Sequence, residues 1–137
     1  AAKASLDPRL WREIAPDRGN GVPASAYIYC RQTMNHGSAF HARMFTGGAQ
    51  TYEDPATGSA LAAFSGTVLE FDRPPDGAYS AWIEQGIEMG RPSKLRLEID
   101  VERHTIPWSH QSAGDSNLSD IRVSIQILGH VAILTAI

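Results

Sequence analysis

The sequence predicts an α+β fold in which an antiparallel sheet forms a barrel or roll around one central helix. Residues 94–102 and 121–127 alternate strictly between aliphatic side chains and polar or charged ones. Such alternation is typical of antiparallel strands that have one face in water. Residues 59–69, by contrast, are small or apolar on every side, which is the composition of a helix enclosed by protein. One sheet wrapped around one helix satisfies both patterns. It would bury Leu61, Phe64 and Val68 and surround Ala63 with apolar neighbours.

Capping and turn residues predict the elements of the first part of the chain. Asp7 is a favourable N-cap and Pro8 a favourable first residue for a short helix. Residues 26–31 and 39–45 alternate in hydrophobicity and predict two strands, joined by a turn at residues 35–37.

The middle of the chain is predicted to contain a loop, the central helix and further strands. Residues 46–58 contain three glycines and one proline, so a loop is expected ahead of the helix. Residues 79–84 and 87–89 have the composition of strands. The mostly polar residues 104–120 are expected to form a long loop.

Composition and charge limit the classes of function. The chain has 137 residues, of which 42% are hydrophobic and 20% charged, as expected for one soluble globular domain. Its 12 basic and 15 acidic residues are interspersed and give no reason to expect nucleic acid or a membrane as partner. The longest apolar runs are too short to span a membrane. Cys30 is the only cysteine, which excludes an internal disulfide and favours the cytoplasm as location.

Motifs for several other kinds of chemistry are absent from the sequence. The five histidines include no His-x-x-x-His pair and no Cys/His cluster, so no metal site is expected. His41, in a predicted strand, is expected to be a structural or surface residue. The sequence also lacks a phosphate-binding P-loop, a dinucleotide-binding glycine motif and a G-x-S-x-G nucleophile motif.

Residues 53–60, Glu-Asp-Pro-Ala-Thr-Gly-Ser-Ala, lie directly ahead of the predicted helix and are the best candidate for a site. One interpretation is capping of the helix by Asp54, Thr57 or Ser59, and spacing alone favours it. The other is an anion site, because a helix N-terminus presents free N–H groups and the positive end of a dipole. Gly58 would let a substrate approach the main chain closely. Asp54 and Ser59 could then move a proton on a bound carboxylate.

This first motif (residues 53–60) and two flanking segments resemble the PhzF family of phenazine-biosynthesis-like proteins. The segments are residues 43–45, Arg-Met-Phe, and a second motif at residues 85–93, Gln-Gly-Ile-Glu-Met-Gly-Arg-Pro-Ser. The resemblance implies a diaminopimelate epimerase-like fold with two similar barrel-and-helix domains and an active site between their helix N-termini. It covers nearly the whole chain, so residues 1–137 are expected to be one domain, the C-terminal one of such a protein.

The resemblance also implies roles for individual residues. Asp54 matches the family's aspartate that orients the substrate and takes part in proton transfer, so Asp54 and Ser59 are the expected catalytic residues. Thr57, Gly58, Ser59 and Ala60 are expected to bind the substrate carboxylate through main-chain N–H groups and a hydroxyl. Diaminopimelate epimerase has a cysteine near this helix entry, and its absence here disfavours racemisation by a thiol pair. The family's glutamate base belongs to the first domain and has no counterpart in this chain.

The function implied by the resemblance is a cofactor-independent isomerase. It would shift a proton, and with it a double bond, on a small carboxylate, in phenazine-type secondary metabolism. The alternatives are a non-catalytic binding or interaction module of the same fold and an amino-acid epimerase or racemase. The chain does not begin with methionine and is expected to be part of a longer or processed polypeptide. Its expected partner is a missing N-terminal domain or a second copy in a homodimer, and the isolated chain is expected to be inactive.

Overall fold

The structure is a computed structural model that describes residues 1–14, 25–47, 52–101 and 122–128. Within these residues two helices accompany one mixed sheet, which confirms the predicted α+β class. The elements in chain order are α1 (Pro8–Ile14), β1 (Ser25–Cys30), β2 (Phe40–Thr46), β3 (Tyr52–Asp54), α2 (Gly58–Phe71), β4 (Gly77–Gln85), β5 (Ser93–Val101) and β6 (Arg122–Leu128).

The sheet contains one parallel pair, so the prediction of an entirely antiparallel sheet is wrong. Its main strand order is β1-β2-β4-β5-β6, and β3 pairs with β2 as well. Strands β2 and β4 run parallel, whereas the remaining neighbours are antiparallel. A parallel pair requires a long crossover connection. Here the connection from β2 to β4 contains β3 and all of α2, which local alternation along a strand does not reveal.

Strands β3 and β4 share one edge of β2, and this arrangement positions the candidate site. Residues 40–42 of β2 pair with the end of β4, and residues 44–46 pair with β3. Gln85, the last residue of β4, therefore lies beside Asp54, the last residue of β3. The two motifs of the sequence meet at this point.

One face of α2 is buried against the sheet. Leu61, Phe64 and Val68 are at most 4% exposed, as predicted from the sequence. Their spacing places them on one side of the helix, where they join the core residues of β2, β4 and β5. The ring of Phe64 also meets that of Tyr29 edge-on, with 4.6 Å between the ring centroids.

The opposite face of α2 is exposed at Ser59, Ala63, Gly66 and Glu70. Ala63 is exposed among the described residues, so its predicted enclosure by apolar neighbours is not confirmed. The sheet formed by the described residues is open, so a barrel or roll around a central helix is not confirmed. Serine, alanine and glycine have little apolar surface, so a helix face built from them can lie in water at small cost.

Residues 87–89 form a turn and not the predicted strand. Gly86 and Gly90 flank them with positive φ angles of 76° and 67°, which favour glycine. The N–H of Gly90 donates to the carbonyl of Ile87, and that of Arg91 to the carbonyl of Gly86, each at 3.0 Å. Three alternating residues are too few to distinguish a strand from a glycine-bounded turn.

Other local predictions agree with the structure more closely. The main-chain N–H of Arg9 donates to Asp7 Oδ1 at 2.8 Å, so Asp7 caps α1 as predicted. The turn at residues 35–37 is present, with a hydrogen bond of 3.0 Å from the N–H of Ser38 to the carbonyl of Asn35. In the predicted loop at residues 46–58, β3 is an additional short strand. The predicted loop at residues 104–120 lies outside the described residues.

Candidate active site

Asp54 and Thr57 form a hydrogen-bonded pair directly before α2. The Thr57 hydroxyl donates to Asp54 Oδ2 at 2.6 Å, while within the described residues Asp54 Oδ1 accepts only a long contact of 3.5 Å from the N–H of Ala56. Thr57 is the N-cap of α2 and has the extended backbone typical of that position, but its side chain makes no capping hydrogen bond. The interpretation of Thr57 as a side-chain cap is therefore wrong, since its hydroxyl binds Asp54.

The first turn of α2 consists of Gly58, Ser59 and Ala60. The first hydrogen bond of the helix runs from the N–H of Leu61 to the carbonyl of Thr57 at 3.1 Å. Among the residues that the structure describes, no acceptor binds the three preceding N–H groups. A helix of 14 residues carries a partial positive charge at this end, so the free donors favour an anion.

The predicted site residues lie in one short segment, but the two predicted catalytic residues are not joined. Asp54 is half-buried, and Ser59 is exposed on the first turn of α2. No hydrogen bond connects their side chains in the described part of the chain. Thr57 is buried, and its hydroxyl donates a hydrogen bond to Asp54. The structure thus brings the carboxylate to the start of the helix without assigning Ser59 a partner.

Gln85 and Gly86 of the second motif contact the first motif directly. Gln85 is fully buried, and its Nε2 donates to the carbonyl of Asp54 at 2.7 Å and to Thr57 Oγ1 at 3.2 Å. A Cβ atom on Gly86 would lie 2.9 Å from the carbonyl oxygen of Pro55 and 2.4 Å from that of Arg91. Gln85 was not predicted from the sequence, although a polar residue that continues the inward-facing series of Ala81 and Ile83 is a signal that could have identified it.

On the other face of the sheet, side chains of β2 bind one glutamate from each motif. Arg43 Nε and Nη2 donate to the two carboxylate oxygens of Glu53, each at 2.8 Å. The His41 ring lies 2.9 Å from Glu84 through Nδ1 and 2.9 Å from Glu88 through Nε2. Glu53 belongs to the first motif and Glu88 to the second, so two residues on the same face of β2 fix their positions. His41 is only 2% exposed and is structural, as expected.

The carboxylate of Glu84 accepts hydrogen bonds from the turn that follows β1. Burial raises the pKa of Glu84, but several hydrogen bonds to its carboxylate outweigh this effect, and the pKa lies below its ordinary value. The donors are the main-chain N–H groups of Met34 and Asn35, the Asn35 side chain and His41. A carboxylate held ionised by so many donors is suited to fixing structure and unsuited to releasing protons near neutral pH.

An apolar cavity of about 280 Å³ opens between β1 and α2. Tyr27, Tyr29 and Phe64 line it together with Ala60, the one predicted site residue on its wall. The Tyr27 hydroxyl is buried and has no hydrogen-bond partner among the described residues. Its burial raises the pKa of Tyr27, so this phenol stays protonated under ordinary conditions.

The described residues contain no group of three or more acidic, histidine or cysteine side chains that could hold a metal ion. None of the helices in the same ranges is long and apolar enough to cross a membrane.

Comparison with known proteins identifies the family. The family model for phenazine biosynthesis-like proteins matches residues 1–117. Over 102 residues the chain is 55% identical to an uncharacterized isomerase of Mesorhizobium japonicum, in an alignment covering 74% of this chain and 34% of that relative. The chain thus spans about a third of the relative's length. The fold is similar to a crystal structure of the PhzF-family phenazine biosynthesis protein of Bacillus anthracis, with a TM-score of 0.51 and 23% identity over 56% of this chain and 26% of the other. Since the family model covers most of its length, this chain belongs to the phenazine biosynthesis-like, or PhzF, family.

Proposed function

We propose that this chain supplies the carboxylate-binding wall of a PhzF-like isomerase. Membership of the family and the relative named an isomerase support the class of reaction. The observation that carries the proposal is the hydrogen bond from Thr57 to Asp54, because a hydroxyl that could cap the helix binds a carboxylate instead. In the part of the chain that the structure describes, this leaves main-chain donors free at the start of α2, beside a carboxylate whose Oδ1 accepts just one long contact.

In this proposal the N–H groups of Gly58, Ser59 and Ala60 bind the substrate carboxylate, with the Ser59 hydroxyl as a further donor. The fixed donors and the helix dipole stabilise negative charge that develops on the substrate as a proton moves. Asp54 carries that proton through Oδ1, and Thr57 contributes by holding the other oxygen. No cofactor takes part, and the product differs from the substrate by the position of a proton and a double bond.

The proposed site is incomplete within this chain. Proton transfer needs a donor and an acceptor within about 2.6–3.2 Å of the reacting atoms, so a second catalytic group must face Asp54 from another domain. We propose that an N-terminal domain or a second copy of this chain supplies it, that the isolated chain is inactive, and that the enzyme works in the cytoplasm. A role in phenazine-type metabolism is also a proposal.

Deuterium incorporation tests this function. The chain, combined with its proposed N-terminal domain, is incubated in D2O with a panel of small unsaturated and amino-acid-like carboxylates, and mass spectrometry follows the exchange. At least one compound should gain deuterium, and Asp54→Asn should slow the exchange by about 10²- to 10⁴-fold. Asp76→Asn, at an exposed turn residue, is the matched control and should exchange like the parent.

Two results would contradict the proposal. If Asp54→Asn exchanges as fast as the parent, Asp54 does not carry the proton. If carboxylates bind without any exchange, the chain is a binding module of the same fold and not part of an isomerase.

A further inference from the structure

Gln85 is a buried polar residue at a strand position whose neighbours on the same face are apolar. Ala81 and Ile83 precede it in the core-facing series of β4, and Gln85 is itself 0% exposed. Its Oε1 atom has no hydrogen-bond partner among the described residues. Burial of an amide with an unpaired oxygen is unfavourable, whereas a methionine would fill similar space without that loss. Packing of the core alone therefore does not account for a glutamine at this position.

The hydrogen bonds of Gln85 determine the direction of the hydrogen bond at Thr57. Gln85 Nε2 uses its two hydrogens for the carbonyl of Asp54 and for Thr57 Oγ1. Because Thr57 Oγ1 accepts from Gln85, its own hydrogen must point to another acceptor. That acceptor is Asp54 Oδ2, at 2.6 Å. The amide, the hydroxyl and the carboxylate thus form a chain in which every donor is assigned.

Without Gln85 the Thr57 hydroxyl would have a competing partner. Threonine at an N-cap ordinarily accepts a hydrogen bond from an N–H group of the first helical turn. Thr57 already has the backbone conformation for this, with φ of −120° and ψ of 96°. Rotation of its side chain to cap α2 would consume a free donor of the proposed anion site and release Asp54. The bond from Gln85 favours the rotamer that binds Asp54.

The register between Gln85 and Asp54 is fixed by the neighbouring residues. Gly86 adopts a φ of 76°, and Pro55 lies so close to it that no Cβ atom could be accommodated. Residues 54–57 therefore rest directly on the end of β4. In this arrangement the side-chain amide of Gln85 faces the carbonyl of Asp54.

We propose that Gln85 is a positioning residue for Asp54 that acts through Thr57. By donating to Thr57 Oγ1 and to the carbonyl of Asp54, it directs the Thr57 hydroxyl onto Oδ2 and leaves Oδ1 oriented for proton transfer. This inference rests on the proposed function, in which Asp54 carries the proton. It also gives a physical reason for the two motifs to occur together, since the first residue of the second motif orients the aspartate of the first.

Nuclear magnetic resonance of the protein labelled at aspartate and threonine tests the inference. Three-bond couplings report the χ1 rotamers of Asp54 and Thr57, which should each be single in the parent. Gln85→Met preserves side-chain volume and removes the donor, so Thr57 should move to a capping rotamer and Asp54 should average over rotamers. Thr57→Val should produce the same averaging at Asp54. Ser65→Ala, at another buried hydroxyl in α2, is the matched control and should leave both couplings unchanged.

A second measurement needs no variant and applies even if Gln85→Met does not fold. Both side-chain amide protons of Gln85 should exchange slowly with solvent in the parent and show nuclear Overhauser contacts to Thr57. Rapid exchange of these protons, or unchanged couplings in folded Gln85→Met, would overturn the inference. The effect of Asp54→Asn on deuterium incorporation is independent of these readouts, so a failure of the proposed function is distinguishable from a failure of the positioning role. On a substrate found by that assay, Gln85→Met should lower the exchange rate at least about tenfold.

Discussion

Arg43 binds Glu53 through two parallel hydrogen bonds of 2.8 Å between neighbouring strands, and both side chains are largely buried. The guanidinium also donates through Nη1 to the carbonyl of Ala4 at 2.5 Å. One side chain of β2 thereby ties the start of the chain to the strand that carries Asp54. The ion pair is suited to fixing β3, because two donors and two acceptors define both distance and angle.

Removal of Arg43 should be strongly destabilising. Arg43→Met leaves the Glu53 carboxylate buried without its partner and should lower the free energy of unfolding by about 3–5 kcal/mol. Arg43→Met combined with Glu53→Gln should recover part of that loss. The control is Arg96→Met, which breaks a pair of the same distance with Glu98 at an exposed position and should cost less than about 1 kcal/mol. Urea denaturation measures all four proteins, and equal losses at positions 43 and 96 would contradict the buried pair.

The stability of the fold should depend on the ionisation of Glu84. Its pKa in the folded protein lies below the ordinary value, so the unfolded chain binds more protons in the range between the two. The stabilising contribution is present above the ordinary glutamate pKa of about 4.3 and is lost as the pH falls through the lower folded value. Glu84→Gln should therefore be less stable than the parent at neutral pH and should lose less stability on acidification. Parallel pH dependences of the two proteins in urea titrations would refute this role.

The buried hydroxyl of Tyr27 should contribute nothing to stability. It has no hydrogen-bond partner in the described residues, so Tyr27→Phe removes an unpaired polar group and keeps the ring contact with Phe64. We expect the melting temperature to stay constant or to rise. Tyr29→Phe, at a ring that is 41% exposed, is the control and should change the melting temperature little. A clear loss of stability in Tyr27→Phe alone would show that the hydroxyl is bonded in solution.

Two neighbouring positions on α2 distinguish a helix buried on one side from an enclosed helix. Leu61 is 0% exposed, and Leu61→Ala should cost about 2–5 kcal/mol through the cavity that it creates. Ala63 is exposed among the described residues, and Ala63→Asp should change the free energy of unfolding by less than about 1 kcal/mol. Chemical denaturation of the chain measures both. If Ala63→Asp is as damaging as Leu61→Ala, the roll expected from the sequence surrounds the helix in solution.

Local patterns predicted the features that depend on neighbouring residues. The cap of α1, the turn at residues 35–37, the buried side of α2 and the strict alternation of β5 all follow from spacing within a few residues. The family resemblance then drew attention to Asp54. The predictions of the cap, the turn, the buried helix side and the alternation succeeded because periodicity and capping are properties of short segments, whereas the role of Asp54 stays a prediction.

The remaining features depend on contacts between distant segments. The parallel pair of β2 and β4 arises from a crossover through α2, and no run of residues records the direction of a partner strand. In the sequence Thr57 has the position and residue type of a helix cap. Its hydroxyl binds Asp54 instead, and it accepts a hydrogen bond from Gln85, which lies 28 positions after Thr57 in the chain. The exposure of one side of α2 among the described residues was not predicted, because small side chains have little apolar surface and indicate neither burial nor exposure.

Titration with acetate tests the anion site at the start of α2 most directly. In the ¹⁵N-labelled protein, amide resonances of residues 54–60 should shift first and in a saturable manner, with the largest changes at Gly58, Ser59 and Ala60. Their N–H groups have no acceptor among the described residues, and α2 directs them towards an approaching carboxylate. Shifts centred elsewhere, for example at residues 104–120, or no saturable shift at residues 54–60, would contradict the account.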